Sequence, residues 1–246
     1  MSLAPEISII IPVYNDKAVI GKSIDRLTNF LGAENFNAEI IVINDGGWDK
    51  TAEIISAKSQ NNPAIKFIDR KMNLGKGASV REGISAASSN IIIFTDADLP
   101  YGTSYFKKMI ELLKSGTDLV IANRNLPVRQ AGLTSNTQHP TSDIGFVRHL
   151  THWGFGFLVR HLLHLEFSDT QAGLKGLTKK AAEEFLPSLK IDRFAFDLEL
   201  LVKAKRAGLQ IKEVPVVLET IGKSNISVLR DSFQTLKDIL KIYFSV

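Results

Sequence analysis

The chain has 246 residues, and its 30 lysines and arginines against 26 aspartates and glutamates leave a formal charge of +4. Apolar residues make up 44% and charged residues 23%, ordinary globular values that exclude wholesale disorder in a chain long enough to bury a core without staples. Cysteine is absent, which excludes disulfides, thiolate-bound zinc, iron–sulfur clusters and thiol nucleophiles.

No stretch reaches the roughly 20 apolar residues of a spanning helix. The first residues lack the basic region and apolar run of a signal peptide, so none is expected. Lysine and arginine are spread along the chain without a dense basic run, so nucleic acid is not expected as a partner. A small anionic ligand or an anionic membrane surface suits the mild positive balance.

In chain order, continuous Ile- and Val-rich runs predict strands at Ile7–Val13, Glu39–Asn44, Lys66–Asp69, Ile91–Thr95 and Leu119–Ala122, each covered on both faces. Helical stripes lie between them: Ile20, Ile24, Leu27 and Leu31, then a pattern over Ala52–Lys58, then Ala78–Ala87, then Phe106, Met109, Ile110 and Leu113. Strand–helix alternation predicts a mostly parallel sheet flanked by helices. Asn125–Ser142 reads as a long polar loop. Gly145–Leu165 is aromatic, basic and amphipathic, which suits either a membrane interface or an ordinary packed helix. Helices are expected at Ala181–Leu186 and Asp197–Ala207, a strand at Ile211–Leu218 with Pro215 near an edge or bulge, and an amphipathic helix at Val228–Tyr243 with Leu229, Phe233, Leu236, Leu240 and Tyr243.

Ligands of open parallel sheets bind beyond the carboxyl ends of the strands. Pro12-Val13-Tyr14-Asn15-Asp16, Asn44-Asp45-Gly46-Gly47, Asp96-Ala97-Asp98 and Asn123-Arg124 stand at those ends. Asp45 or Asn15 alone reads equally well as a turn or cap. Asp96 and Asp98 alternate on an extended segment and would repel unless a cation lay between them. Hard oxygen ligands suit Mg²⁺ or Mn²⁺, which can neutralise a departing diphosphate. Asn73-Leu74-Gly75-Lys76-Gly77-Ala78 opens a helix whose N-terminus favours anions. It completes neither the dinucleotide fingerprint, because Val80 stands where the third glycine belongs, nor a Walker loop. The five histidines, at positions from His139 to His164, form i,i+3 pairs at His149/His152 and His161/His164 without a companion carboxylate, which disfavours zinc.

Together with Asp169-Thr170-Gln171-Ala172-Gly173-Leu174-Lys175 and Arg193-Phe194-Ala195-Phe196-Asp197-Leu198-Glu199-Leu200-Leu201, these motifs run in order along nearly the whole chain. The sequence resembles the family 2 glycosyltransferases of the GT-A fold, and among them the polyprenyl-phosphate (dolichyl-phosphate) β-glucosyl and mannosyl transferases. The resemblance implies one GT-A domain over 1–246, with a nucleotide-sugar half (5–124) and an acceptor-side half (125–246). It implies that Pro12, Tyr14, Asp16 and Asp45 line the base and ribose pocket, joined by Lys76 on the donor side. Asp96 and Asp98 would hold the metal and diphosphate. Arg124, Arg148 and Lys175 would hold anionic groups, Asp169 and Gln171 would sit near the sugar, and Gly145–Leu165 would meet the lipid.

The family usually has Asp-Asp-Gly-Ser at Asn44–Gly47, Glu at Asp16 and, in the mannosyl branch, a metal-contacting Gln at Pro100. Spanning helices found in many members are absent, so a peripheral position on the cytoplasmic face of a membrane, or a membrane-protein partner, is expected. The implied reaction is inverting hexose transfer from UDP-glucose, favoured over GDP-mannose, to a polyprenyl phosphate. A sugar hydroxyl as acceptor would instead need a base, with Asp169 the first candidate and Asp197 the second. An inactive domain that binds a nucleotide sugar or a partner is a further alternative.

Overall fold

The computed structural model describes residues 4–127, 162–163, 165–219 and 228–244, with the side chains of 228–233 and 236 left aside. The predicted alternation is present. Strands β1 (Ile7–Val13), β2 (Ala38–Asn44), β3 (Ile65–Asp69), β4 (Ile91–Phe94) and β5 (Leu119–Asn123) alternate with helices α1 (Ile20–Ala33), α2 (Thr51–Asn61), α3 (Lys76–Ala86) and α4 (Ser104–Lys114). Then follow β6 (Lys175–Thr178), α5 (Lys179–Phe185) with a 3₁₀ turn at Leu186–Ser188, α6 (Phe196–Arg206), β7 (Ile211–Pro215) and α7 (Val228–Phe244).

The seven strands form one sheet in the order β3-β2-β1-β4-β6-β5-β7. All pairings are parallel except the two made by β6, which is antiparallel to both β4 and β5. Central strand β1 sets Ile10 opposite Ile41 of β2 and Phe94 of β4. Strand side chains alternate between faces and feed two cores. One face packs Ile9, Ile11 and Val42 under the α1 stripe Ile20, Ile24, Leu27 and Leu31 and the α4 stripe Phe106, Met109, Ile110 and Leu113. The other packs Ile10, Ile41 and Ile43 under Val80 and Ile84 of α3 and Phe196, Leu200 and Leu201 of α6. The sheet is therefore covered on both sides, the condition that permits continuous apolar strands.

Three expectations need correction. Strand β6 has no forecast, because Lys-Gly-Leu-Thr carries no apolar run; its Lys175 is wholly buried all the same. The Gly75–Ala78 helix starts at Lys76 rather than Ala78. On α7 the buried face carries Ile239 and Ile242, whereas Leu240 and Tyr243 of the predicted stripe are exposed. Pro215 does end a strand at the sheet edge, where its missing N–H leaves no ladder bond unmade. Leu163 and Leu165, the described end of the predicted amphipathic segment, are buried in the α6-side core. The rest of that segment, Arg148, the histidines and most of the Asn125–Ser142 loop lie outside the described residues.

Helix α3 approaches the sheet where Gly83 has no side chain, because a Cβ there would strike the Ile10 side chain and stand 3.0 Å from Ile43. Gly83→Ala should therefore destabilise the fold by about 1–3 kcal/mol, as overpacking does. A lower denaturation midpoint at unchanged m-value is the expected reading.

Candidate active site

The carboxyl ends of β1, β2, β4 and β5 bring the predicted residues to one edge of the sheet. After β1, Asn15 takes a left-handed conformation (φ 50°) and its Oδ1 accepts from the N–H groups of Trp48 (2.8 Å) and Asp49 (3.3 Å). This ties the loop after β1 to the loop after β2. Tyr14 is left 45% exposed on the rim, beside the partly buried Pro12 and Asp16.

After β2, the Asp45 carboxylate is committed to its own protein. It accepts from the backbone N–H of Leu74 (2.9 Å) and Gly75 (2.7 Å) and from Arg70 (3.0 Å). Asp45 thus shapes the loop that enters α3. Asn44 gives its amide N–H to Asp69 (2.8 Å), which leaves its Oδ1 buried without a partner. A Cβ at Gly47 would stand 2.8 Å from that oxygen and 3.0 Å from Asn15 Oδ1, so the glycine at 47 belongs with the asparagine at 44.

The glycines of the Gly75-Lys76-Gly77 run lie against a neighbouring segment. A Cβ on Gly75 would meet the Asp192 carbonyl, and one on Gly77 would lie 2.5 Å from the Ile191 carbonyl and 2.6 Å from Phe196. The Ala78 N–H donates to the Asp192 carbonyl (3.1 Å). The first turn of α3 is therefore packed on the segment entering α6. What the glycines permit is delivery of Lys76. Its Nζ lies 2.8 Å from Asp96 Oδ1 and 3.6 Å from Asp197 Oδ2. Burial alone would lower its pKa, yet Asp197 and Asp96 hold it well above the usual lysine range.

Asp96 and Asp98 follow β4 in a turn in which Leu99, at φ 46°, is also left-handed. The strained turn is locked by hydrogen bonds from Leu99 N–H to the Asp96 carbonyl (3.1 Å) and from Gly102 N–H to the Leu99 carbonyl (2.8 Å). The other Asp96 oxygen occupies the space where Gly173 would carry a Cβ. Burial and then the Asp96 charge push the Asp98 carboxyl above the usual carboxylate range. Burial, Asp98 and Asp49 do the same to Asp16. Carboxylates are thus crowded at this edge, and Lys76 pairs with Asp96 alone among them. Among the described residues no group of three His, Asp or Glu side chains could hold a metal unaided. Two carboxylates with substrate oxygens and water are, however, the usual setting of Mg²⁺, and the strained charge of Asp98 fits such an ion.

Beyond β5, Arg124 makes a two-pronged pair with Asp169 through Nε (2.7 Å) and Nη2 (2.8 Å), and its backbone N–H adds a third bond (3.0 Å). Burial would raise the Asp169 carboxyl, but Arg124 holds it below the usual range. Gln171 donates its backbone N–H to Asp169 (3.2 Å), while its side-chain Nε2 is buried with no partner. Tyr101, which feels the charges of Arg124, Asp169 and Asp96, is buried with its phenol pushed up to about 12, chiefly by desolvation, and bonded by the Gly173 backbone.

Two residues with sequence-predicted roles are buried. Lys175 is wholly buried, giving Nζ to the Ala172 carbonyl (2.7 Å) and to Asp197 (2.7 Å), so it cannot touch an anionic group of donor or acceptor. Asp197 is buried and enclosed between Lys175 (2.7 Å) and Lys76 (3.6 Å), which hold its carboxyl low against the pull of burial. Gly173 and Tyr101 escape sequence reasoning, since a glycine's role as a seat for another residue's carboxylate leaves no pattern.

A family model, Glycosyl transferase family 2, matches residues 8–186. The chain belongs to glycosyltransferase family 2. It is a glycosyltransferase, and its sheet and helices are those of the GT-A fold. It is 30% identical over 252 residues to a dolichyl-phosphate beta-glucosyltransferase of Dictyostelium discoideum, covering 97% of this chain and 74% of that one. A dolichyl-phosphate beta-glucosyltransferase of Homo sapiens is 28% identical, with 96% and 74% covered. Among solved structures, glucosyl-3-phosphoglycerate synthase from Mycobacterium tuberculosis with Mn²⁺, UDP-glucose and phosphoglyceric acid superposes with a TM-score of 0.67 at 18% identity, covering 97% of this chain and 80% of that one. The same enzyme has been crystallised with Mg²⁺ and UDP. No helix among the described residues is long and apolar enough to cross a membrane.

Two outcomes follow from this geometry. Gly173→Ala should displace the Asp96 carboxylate and weaken nucleoside diphosphate binding by roughly tenfold or more, the worth of a charged contact, in calorimetry on a protein that still folds. Asp98 has a raised pKa, so the native state binds its proton more readily than the unfolded chain does. Its ionised form therefore opposes folding above that raised value, and the penalty disappears in acid below the ordinary carboxylate value. Asp98→Asn should accordingly raise Tm at neutral pH, with the gain fading as pH falls, while activity is lost.

Proposed function

We propose that the chain transfers a hexose from a nucleotide sugar, UDP-glucose in preference to GDP-mannose, to a polyprenyl phosphate with inversion at the anomeric carbon. The observation that carries this reading is the commitment of both candidate bases: Asp169 is tied to Arg124 and Asp197 to two lysines. A sugar hydroxyl would need a base to take its proton. A phosphate monoester is already anionic at neutral pH and needs none. Relatives about 30% identical that bear the name dolichyl-phosphate beta-glucosyltransferase support the same acceptor and sugar. A β product from an α-linked donor implies direct displacement.

In this reading an acceptor phosphate oxygen forms the new bond to the anomeric carbon as the bond to the nucleoside diphosphate breaks. Positioning and charge stabilisation then carry the catalysis. Pro12 and Tyr14 line the base and ribose side. The unpartnered Gln171 Nε2 supplies a donor for a sugar or phosphate oxygen. Arg124, half-exposed and fixed by Asp169, faces the anionic groups. Asp98, with Asp96, would hold a Mg²⁺ or Mn²⁺ ion, which when bound supplies positive charge to the departing diphosphate. The lipid acceptor and soluble donor meet at a membrane surface, where the chain sits peripherally on the cytoplasmic face.

Calorimetry with UDP and GDP, with and without Mn²⁺, tests the donor half. Metal-strengthened binding of UDP, lost in Asp98→Ala, is expected, and tighter GDP binding would reverse the donor assignment. Glucose transfer to a short polyprenyl phosphate should keep the same pH profile in Asp169→Asn. A profile that loses its acidic limb in that variant would make Asp169 a base and the acceptor a hydroxyl.

A further inference from the structure

Lys175, Asp197, Lys76 and Asp96 form a line of alternating charge that runs from the centre of the sheet to the site edge. Lys175 on β6 is wholly buried and lies 5.9 Å above the Phe94 ring. Its ammonium meets one Asp197 oxygen at 2.7 Å; the other oxygen faces Lys76 at 3.6 Å, and Lys76 meets Asp96 at 2.8 Å. The four residues come from β6, the first turn of α6, the first turn of α3 and the turn after β4. Each has one neighbour of opposite sign on either side, except at the ends.

We propose that Lys175 and Asp197 are positioning residues that hold the Lys76 ammonium at the diphosphate site, so that this site carries a resident protein cation besides any metal. The inference rests on the transferase reading above. Packing alone does not call for such a line. Well-packed apolar residues often replace a buried ion pair at no loss of stability, so packing alone does not explain the pair. The local chain is arranged around that end. Gly75 and Gly77 remove the side chains on either side of Lys76, which lets the start of α3 lie against Ile191, Asp192 and Phe196, within reach of Asp197. Gly173 leaves room for Asp96 to face Lys76. Without Asp197, a lysine stem at this place would be free to turn towards solvent, and without Lys175 a buried Asp197 would draw Lys76 inward and away from Asp96. A diphosphate arriving beside Asp96 would meet the Lys76 ammonium already in place, a charge-assisted contact with no ordering left to supply.

The test is a double-mutant cycle of Lys76→Met with Asp197→Asn, read by UDP and GDP binding with Mn²⁺ and with the metal chelated. Lys76→Met is expected to weaken binding of the preferred nucleotide roughly ten- to hundredfold and to abolish the residual metal-free binding. Asp197→Asn is expected to weaken it alone, yet to add little in the Lys76→Met background, because it acts through that lysine. Lys76→Arg should restore part of the metal-free binding. The pair Lys175→Met with Asp197→Leu removes both core charges together. It should regain most of the Tm lost by either single change and still bind nucleotide poorly. Wild-type affinity in that variant, or strictly additive effects around the cycle, would overturn the proposal and leave the pair purely structural. If the double core variant does not fold, the cycle on Lys76 and Asp197 still decides. Failure of the unaltered chain to bind either nucleotide would remove the transferase reading itself, a result distinct from normal binding in every variant.

Discussion

Two carboxylates stand at the end of one strand, where burial and then their mutual repulsion oppose ionisation of the second. Asp96 and Asp98 follow β4, with Asp16 near enough to feel Asp98. The protein answers the first charge with Lys76 and leaves Asp98 with its ionisation strained. Such a site is poised for cations and for the phosphates they accompany. The surrounding chain is fixed as well: Leu99 is left-handed, Gly173 leaves room for the Asp96 carboxylate, and Asp169 is bound to Arg124. Electrostatic preorganisation of this kind costs stability in the resting protein and returns it only when charge develops in the reaction.

Much of this was legible in the residues. The five N-terminal strands were readable because strands covered on both faces must be continuously apolar, and their ends are where polar side chains have to emerge. The α1 and α4 stripes were equally plain, since a single row of Ile, Leu, Phe and Met at helical spacing has one way to be buried. Strand β6 was not legible, because a buried lysine and a glycine in its short span argue against a strand unless the partners of the lysine are known. The α7 face was misread for a related reason. Leu240 and Tyr243 fit a helical stripe as well as Ile239 and Ile242 do, and only the neighbouring core chooses between them.

Motif residues proved harder to assign than motif positions. Asp45, Lys175 and Asp197 lie where the family resemblance directs attention, but their charges are spent on backbone amides and on each other. Sequence cannot separate a carboxylate that touches substrate from one that builds the loop beside it, because both are equally placed along the chain. The distinction lies in partners. Gln171 Nε2, which has none, is a better pointer to a ligand than the fully bonded acids around it.

The central place of β6 governs how the molecule can assemble. Strands β4 and β5 do not pair with each other; each pairs with β6, which is reached only after the long stretch beyond β5. During synthesis β1 to β4 can form a parallel half-sheet early, while β5 waits with no partner in it. Closure of the sheet depends on a short strand of high sequence separation that carries a lysine into the core, and that lysine is stable there only once α6 has delivered Asp197. Long-range closure is the slow kind. The strand that joins the two halves of the sheet thus also carries the first charge of the line that ends at Asp96, so the sheet and the active-site edge are completed by the same pairing.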